Sequence, residues 1–299
     1  MALTKQDWLI YFRDQAEKDR RTVVTTFRDY KSQASELNKR IKAYRDAVIS
    51  KEESKVTRTS MQANQQLLND ILMITYTSNI VMLESRNIVW EYEYMAFARR
   101  IGELWEPFCK LQFDFPVKKL NIIEPPVFAD VQAGIQRRAL EYINALTISS
   151  EEKKELKKHF SIPWSLVDSG GIKLGLDLHF EQNGIHYNCD FKSGFSSNEK
   201  GNTNRLLLVA SIYHSLSEQE KTLLFVRQNE DENNHYLLTL KNSPYWDVYC
   251  GNDCYTAMNA FTGFDMRAWL DNNVDWEGDI SPEFRRHLKQ NDLLKYLTW

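Results

Sequence analysis

Hydrophobic and polar residues alternate along residues 173–192, on both sides of the dipeptide Asn183-Gly184. Alternation is typical of a β-strand with one buried face, and Asn-Gly is the preferred pair for a two-residue hairpin turn. Such a turn pairs Gln182 with Ile185 and, further along, Asp177 with Asp190. The predicted apolar face holds Leu174, Leu176, Leu178, Phe180, Ile185, Tyr187, Cys189 and Phe191, and the polar face holds Lys173, Asp177, His179, Glu181, His186, Asn188, Asp190 and Lys192.

A helical period dominates the N-terminal third of the chain. Apolar residues step by three and four positions over three heptads, at Phe27, Tyr30, Ala34, Leu37, Ile41, Tyr44 and Val48. A second helical stretch runs from about residue 61 to 105, after a charged segment at 50–60, so we predict an antiparallel helical hairpin. The charged residues beside the seam form a solvated face, or else an arm that straddles DNA or joins two subunits.

Prolines and shorter patterns organise the rest of the chain. Pro116, Pro125 and Pro126 predict a connection between subdomains. The remaining predictions are helices at about 131–146 and from Ser149-Ser150, a helix after the hairpin, a buried strand at 221–227, short strands at 236–240 and 246–249, and a helix at 255–261 that Gly263 ends.

The pairing of Asp177 with Asp190 suggests metal chemistry. Like charges directly opposite each other on a sheet are unfavourable, and the pKa of one carboxyl rises unless a cation neutralises the pair. Two carboxylates, completed by water and a substrate phosphate, suit Mg²⁺ better than Zn²⁺. Lys192 lies on the same face, two residues after Asp190. The alternative is a half-buried hairpin whose polar face is merely solvated.

Asp177, the hairpin and the triplet Asp190-Phe191-Lys192 resemble the motif of the PD-(D/E)XK nuclease superfamily, within the tract GLDLHFEQNGIHYNCDFKSG. Leu176 stands where that motif has proline. The acidic-x-Lys triplet carries little weight alone, because it also occurs at Asp29-Lys31, Glu53-Lys55, Glu151-Lys153, Glu152-Lys154 and Glu155-Lys157. Those five lie in helical or highly charged patterns, where no strand presents the acid and the lysine on one face. The resemblance covers residues 135–230.

The resemblance implies an α+β fold with a restriction-endonuclease-like core: a helix, a central mixed sheet with the hairpin, a second helix and a strand. We expect a helical region over residues 1–112 and a PD-(D/E)XK-like nuclease domain over 113–299. Asp177 and Asp190 would hold Mg²⁺, and Lys192 would position or deprotonate the attacking water. A helix before the hairpin often donates another acidic ligand in this superfamily. Glu141 or Glu155 could serve, although their helical context favours surface salt bridges.

A segment rich in hydrogen-bond donors follows the hairpin. It lies just after the proposed metal site, where backbone phosphates or base edges of DNA would lie. The alternative is an ordinary flexible connection. The predicted DNA-binding residues are Ser196, Asn198, Lys200, Asn202, Asn204 and Arg205.

Composition agrees with a soluble enzyme. The 299 residues are 42% hydrophobic, which is ample for a core. Four irregularly spaced cysteines, no signal peptide pattern and no uninterrupted apolar span predict a cytoplasmic protein without membrane contact. No nucleotide-binding fingerprint occurs, so no nucleotide cofactor is expected. The net charge is −3, unusual for a DNA-binding protein, yet residues 1–60 carry 14 Lys and Arg against 9 Asp and Glu.

The functional prediction is a type II restriction endonuclease acting on double-stranded DNA. One such site cuts one strand, so a palindromic double-strand cut predicts a homodimer. The N-terminal helices are a candidate interface, in which case charged substitutions at Leu37 and Ile41 would dissociate the dimer, unless these residues pack only within one subunit. Two alternatives stay open: a repair-type or phage-defence nuclease without sequence specificity, and a non-catalytic helical interaction protein whose hairpin is incidental.

Overall fold

The computed structural model describes residues 3–57, 60–165, 172–196 and 199–299. The fold is α+β, about 67% helical, with a five-stranded mixed sheet. The helices are α1 (Lys5–Thr26), α2 (Tyr30–Ser54), α3 (Met61–Val89), α4 (Tyr94–Asp114), α5 (Phe128–Ala145), α6 (Ser150–Ser165), α7 (Lys200–Leu216), α8 (His235–Lys241), α9 (Gly251–Thr262), α10 (Met266–Asn273), α11 (Trp276–Asp279) and α12 (Pro282–Gln290). The strands are β1 (Asn121–Ile122), β2 (Leu178–Gln182), β3 (Ile185–Lys192), β4 (Glu220–Val226) and β5 (Trp246–Cys250).

The N-terminal region is a set of packed helices rather than the predicted two-helix hairpin. Helices α1, α2 and α3 all contact one another, and α3 also packs against α4. The helix expected over residues 61–105 is broken after Val89. Asn87 Oδ1 accepts a hydrogen bond of 2.8 Å from the Tyr92 amide, and the Arg86 guanidinium lies 4.5 Å from the Trp90 ring centre. These side chains stabilise the non-helical turn between α3 and α4.

Leu37 and Ile41 are completely buried within the chain. Leu37 belongs to a cluster with Val23 and Val89, and Ile41 belongs to the main hydrophobic core. The alternative that Leu37 and Ile41 pack only within one subunit therefore holds, because neither side chain reaches the surface, and the dimer itself stays a prediction.

The sheet has the order β1-β2-β3-β4-β5, in which β1, β2 and β3 are antiparallel and β4 and β5 continue parallel to β3. The predicted hairpin register is confirmed, since Gln182 pairs with Ile185 and Leu178 with Cys189. Asn183 and Gly184 have φ of 56° and 79°, as a type I′ turn requires. The strands predicted at 221–227 and 246–249 are confirmed as β4 and β5.

The strand predicted at 236–240 is wrong, because these residues form α8. The Asn234 side chain accepts a hydrogen bond from the Tyr236 amide and caps this helix. Leu237 and Leu240, three positions apart, are both completely buried, which is a helical spacing. The helix predicted at 255–261 is confirmed within α9, and Gly263 ends it in the left-handed conformation with φ of 76°.

Helices cover both faces of the sheet. On one face, Phe191 packs against Trp105 and Phe113 of α4, with ring centres 5.9 and 6.5 Å apart. On the other face, Leu224 and Val226 pack with residues of α7 and α8. The polar face of the hairpin is consequently buried where α7 crosses it, and the alternative of a solvated polar face is wrong there.

The alternation predicted for residues 173–192 fails at its start. Leu174 and Leu176 precede β2 and pack with the α7 side of the sheet, in clusters that exclude Phe180. The chain bends at Asp177, so the strand periodicity begins only at Leu178. The two leucines therefore do not extend the face that carries Phe180.

One hydrophobic cluster joins the N-terminal helices to the sheet. It includes Phe12 of α1, Trp105 of α4 and Phe225 of β4. The boundary predicted at residues 112 and 113 falls inside α4 and stays a prediction. None of the helices in the described part of the chain combines the length and the apolar run that a bilayer crossing requires.

We expect Leu37→Ala to lower the free energy of unfolding by about 2–5 kcal/mol, because it leaves a cavity among α1, α2 and α3. Urea unfolding measures the loss. Leu140→Ala is the matched control at a side chain that is 39% exposed, and it should cost less than about 1 kcal/mol. A change in oligomeric state on Leu37→Ala without loss of stability would contradict this assignment.

Candidate active site

Asp190 lies on β3, the central strand, and its side chain is 1% exposed. Two cations contact its carboxylate. Lys192 Nζ lies 2.5 Å from Oδ1, and a guanidinium nitrogen of Arg205 on α7 lies 3.3 Å from Oδ2. The predicted proximity of Asp190 and Lys192 is confirmed, and their catalytic roles stay predictions.

The pKa of Asp190 is raised above the ordinary aspartate value. Burial is the main cause, because it penalises the ionised form. Lys192 opposes this rise with its positive charge, and the negative charge of Asp177 adds to it. The two cations thus offset only part of the cost of burying this carboxylate.

Asp177 lies in the bend that precedes β2. Its Oδ2 accepts a hydrogen bond of 2.8 Å from the Phe191 amide, next to Asp190 on the partner strand. The backbone carbonyl of Asp177 accepts a hydrogen bond from Lys110 Nζ of α4. Asp177 and Asp190 are brought together as the register predicts, although Asp177 reaches β3 through its side chain and not through a backbone pair.

Glu106 of α4 is a third carboxylate near this pair. Burial raises the pKa of the Glu106 carboxyl, and the negative charge of Asp177 raises it further. The positive charges of Lys110 and Lys192 oppose the rise. Lys110 Nζ lies 3.7 Å from Glu106 Oε1. Helix α4 therefore contributes the carboxylate of Glu106 and the ammonium group of Lys110 to this end of the hairpin.

Gly102 lets α4 approach the end of β3 closely. A Cβ atom at this position would lie 2.8 Å from Oγ and 3.0 Å from Cβ of Ser193, which directly follows Lys192. Ser193 Oγ in turn accepts hydrogen bonds from Arg227 Nε and a guanidinium nitrogen, at 3.0 and 2.8 Å. Glu106 is one helical turn beyond Gly102, so this close contact determines how near Glu106 comes to the strand.

A chain of hydrogen bonds begins next to Asp177, is buried at His179 and Asn188, and ends at the partly exposed His186. His179 Nε2 accepts from the Leu176 amide at 2.9 Å, and Nδ1 is 2.8 Å from Asn188 Oδ1. Asn188 Nδ2 donates to Glu220 Oε2 at 2.7 Å, and Glu220 Oε1 is 2.9 Å from Nδ1 of His186. Burial lowers the pKa of His179, which favours the neutral imidazole.

The predicted DNA-binding residues divide into two groups. Helix α7 begins at Lys200. Four of the predicted residues, which were expected in a loop, therefore lie on this helix: Lys200, Asn202, Asn204 and Arg205. Arg205 contacts Asp190, and its Nε lies 3.4 Å from Asn202 Oδ1. Ser196, Lys200 and Asn204 are exposed, and Asn198 lies outside the described residues.

The third acidic ligand expected before the hairpin stays a prediction; Glu106 of α4, which the sequence pattern did not single out, is near Asp177. Glu141 is exposed on α5, and Glu155 of α6 pairs with Lys158 at 3.8 Å, in keeping with surface salt bridges. The signal for Glu106 was its position four residues before Lys110, on a helix whose buried face includes Trp105. In the sequence, α5 and α6 lie between Glu106 and the hairpin, so proximity along the chain favoured Glu141 and Glu155.

The carboxylates have the donor chemistry for a hard divalent cation, which the resemblance implies. Within the described residues, no three His, Cys, Asp or Glu side chains are arranged to hold a metal ion. Under the resemblance, Asp177 and Asp190 would supply two carboxylates, and water and phosphate oxygens would complete the shell, as Mg²⁺ accepts. Asp190 Oδ1 is buried, with Lys192 as its ionic partner and no hydrogen bond of good geometry.

Comparisons of this chain with protein-family models, curated proteins and solved structures find no match.

We expect Asp190→Asn to stabilise the folded chain by about 1 kcal/mol at pH 7, because it removes a buried charge. The raised pKa gives the sign: ionisation of Asp190 costs stability as the pH rises through its folded-state pKa, and the variant avoids that loss. Below about pH 4 the two proteins should converge, since the wild-type carboxyl is then protonated. Urea unfolding at both pH values measures the difference.

Asp247→Asn is the control, since Asp247 is exposed on the neighbouring strand β5 and should give little change at either pH. A variant Asp190→Asn that is less stable than wild type at pH 7 would mean that the ion pairs with Lys192 and Arg205 outweigh the cost of burial.

Proposed function

We propose that this chain is a Mg²⁺-dependent endonuclease that hydrolyses phosphodiester bonds of double-stranded DNA. The observation that carries the proposal is the group of Asp177, Asp190 and Lys192 at one end of the hairpin, with Glu106 beside it. A buried carboxylate with a raised pKa in a group of acids and bases is typical of catalytic sites. A sheet stabilised only by packing would have an apolar residue at position 190.

The order of elements supports a restriction-endonuclease-like core. Helix α4 precedes β1, β2 and β3, helix α7 follows, and β4 then lies parallel to β3. This order is compatible with the helix, hairpin, helix and strand that resemblance to the PD-(D/E)XK superfamily implies. The helical insertion of α5 and α6 between β1 and β2 is an addition to that order.

The side chains have distinct tasks in the proposed reaction. Bound Mg²⁺ would neutralise charge on the scissile phosphate and polarise the attacking water. Lys192, as an ammonium donor beside Asp190, stabilises negative charge that develops on the phosphate oxygens. Glu106 takes the proton of the attacking water, since a carboxyl with a raised pKa is a better base near neutral pH.

Lys192 must leave Asp190 Oδ1 for a cation to bind there. Its side chain is 20% exposed, so the ammonium can turn outward to a phosphate without being buried unpaired. Arg205 on the opposite oxygen is 42% exposed and can likewise reach a phosphate. The exchange of these two partners for a divalent cation and DNA keeps the charge of the site balanced.

Sequence-specific cleavage as a type II restriction enzyme and a homodimeric assembly are part of the same proposal. The exposed donors Lys200 and Asn204, on the helix that carries Arg205, are the candidates for DNA contacts. Two strands require two such sites, which a two-fold dimer supplies. With Leu37 and Ile41 buried, the interface must involve other residues.

Incubation with plasmid DNA and Mg²⁺ tests the activity. We expect cleavage that EDTA abolishes, and a loss of about 100-fold or more in Asp190→Asn and in Lys192→Ala, because each removes a charge from the reacting site. Lys157→Ala is the matched control. Lys157 belongs to an acidic-x-Lys triplet on α6, and none of the described side chains of this helix is buried. It should cleave as wild type does.

The products separate the alternatives. Discrete fragments indicate sequence-specific cleavage, and a smear indicates a nuclease without specificity. DNA that stays intact with Mg²⁺ or Mn²⁺, or normal cleavage by Asp190→Asn, would overturn the assignment and favour the non-catalytic interaction protein.

A second series tests the third acid. We expect Glu106→Gln to reduce the cleavage rate by about 100-fold, as the loss of a general base would. Glu141→Gln and Glu155→Gln replace the acids on α5 and α6 and should leave the rate unchanged. Equal rates for all three variants would exclude Glu106 from the chemistry, and a specific loss in Glu141→Gln or Glu155→Gln would move the role to that helix.

A further inference from the structure

The position of Asp177 is not set by the backbone ladder of the sheet. The first residue pair of the β2–β3 ladder is Leu178 with Cys189, so Asp177 lies one residue before the ladder begins. A residue in a bend at the end of a ladder has fewer hydrogen bonds to hold it than a residue within the ladder. Yet a cation site needs its ligands held within about half an ångström. Something outside the ladder must therefore fix this bend.

Lys110 contacts the bend from α4. Its Nζ donates to the backbone carbonyl of Asp177, and it also lies 3.7 Å from Glu106 Oε1. The Lys110 side chain is 27% exposed, so it is held between the helix and the bend. This contact links the bend to the helix that carries Glu106.

His179 contacts the same bend from within the sheet. Its Nε2 accepts a hydrogen bond from the amide of Leu176, directly before Asp177. A neutral imidazole that accepts at Nε2 carries its proton on Nδ1, so His179 donates to Asn188 Oδ1. The tautomer thus follows from the two partners.

Asn188 fixes the ring of His179 in turn. Its amide nitrogen donates to Glu220 Oε2 at 2.7 Å and lies 3.3 Å from the Lys221 carbonyl. His179 and Asn188 are 5% and 2% exposed. Breaking a hydrogen bond at this depth leaves a buried polar group unpaired, so the chain from Glu220 to Leu176 has one favoured arrangement.

We propose that Lys110 and His179 are positioning residues that together hold the Leu176–Asp177 bend, so that the Asp177 carboxylate stays directed at the cation site with Asp190. This inference rests on the proposed function, because it takes Asp177 as a ligand. The two side chains hold consecutive residues of the backbone, one at a carbonyl and one at an amide. Neither needs to touch the cation or the DNA.

Two amide replacements of His179 separate its two hydrogen bonds. In His179→Gln, the side-chain oxygen can occupy the place of Nε2 and keep the bond from Leu176. In His179→Asn, the side-chain nitrogen can occupy the place of Nδ1 and keep the bond to Asn188, but the Leu176 amide loses its acceptor. Lys110→Met keeps the length and apolar stem of the lysine and removes its donor.

The first measurement is Mn²⁺ binding to the full chain without DNA, by titration calorimetry. We expect His179→Asn and Lys110→Met to weaken binding by about tenfold or more, as the loss of residues that orient metal ligands does. His179→Gln should restore most of the affinity. His186→Gln, at the exposed far end of the same hydrogen-bond chain, should bind Mn²⁺ as wild type does.

The second measurement is hydrogen exchange at the Leu176 amide. We expect exchange to accelerate at least about tenfold in His179→Asn and to stay near wild type in His179→Gln. A merely structural role for His179 would lower the melting temperature in both variants alike and would give no rescue by glutamine.

The outcomes distinguish this inference from the proposed function. Mn²⁺ affinity that Lys110→Met and His179→Asn both leave intact would overturn the positioning role alone. A wild-type chain that binds no Mn²⁺, or binding that Asp190→Asn does not weaken, would overturn the proposed function and this inference with it. In that case the exchange of the Leu176 amide would still show that His179 holds the bend for another reason.

Discussion

The burial of one carboxylate in the central strand is the constraint on which the site depends. Asp190 is 1% exposed, with β4 paired on one side and Arg205 of α7 against its carboxylate, so water cannot solvate its charge. An isolated carboxylate in such a place is costly, and it is found only with cations or with a shifted pKa. Here both occur, since Lys192 and Arg205 contact it and its pKa is still raised. Lys192 is on the same side of β3 because it follows Asp190 by two residues, and Arg205 comes from the second turn of α7.

Asp177 and Asp190 have different surroundings, although Asp177 contacts the residue next to Asp190. Asp177 lies at a bend, and its carboxylate accepts a hydrogen bond from the Phe191 amide. Asp190 lies in the interior and has no such donor from the backbone among the hydrogen bonds described. Burial raises the pKa of the Asp190 carboxyl, and the positive charge of Lys192 opposes that rise. This end of the hairpin thus places two identical side chains in different surroundings.

Local signals in the sequence predicted the hairpin well. The Asn183-Gly184 turn and the two-residue period predicted the register from Leu178 to Cys189 correctly, because both depend only on nearby residues. The burial of the polar face could not be predicted, since it results from the packing of α7 across the sheet. Glu106 was missed because its approach to Asp177 depends on the contact of Gly102 with Ser193, far apart in the chain. The run at 236–240 was too short to separate helix from strand by period alone.

Helix α4 belongs to two parts of the molecule at once. Its aromatic side chains are shared between the N-terminal helices and the sheet, while Glu106 and Lys110 face the carboxylates. The Gly102 contact leaves no slack between this helix and the residue after Lys192. Because α4 packs against both regions, a displacement of the N-terminal helices would also displace Glu106 relative to β3.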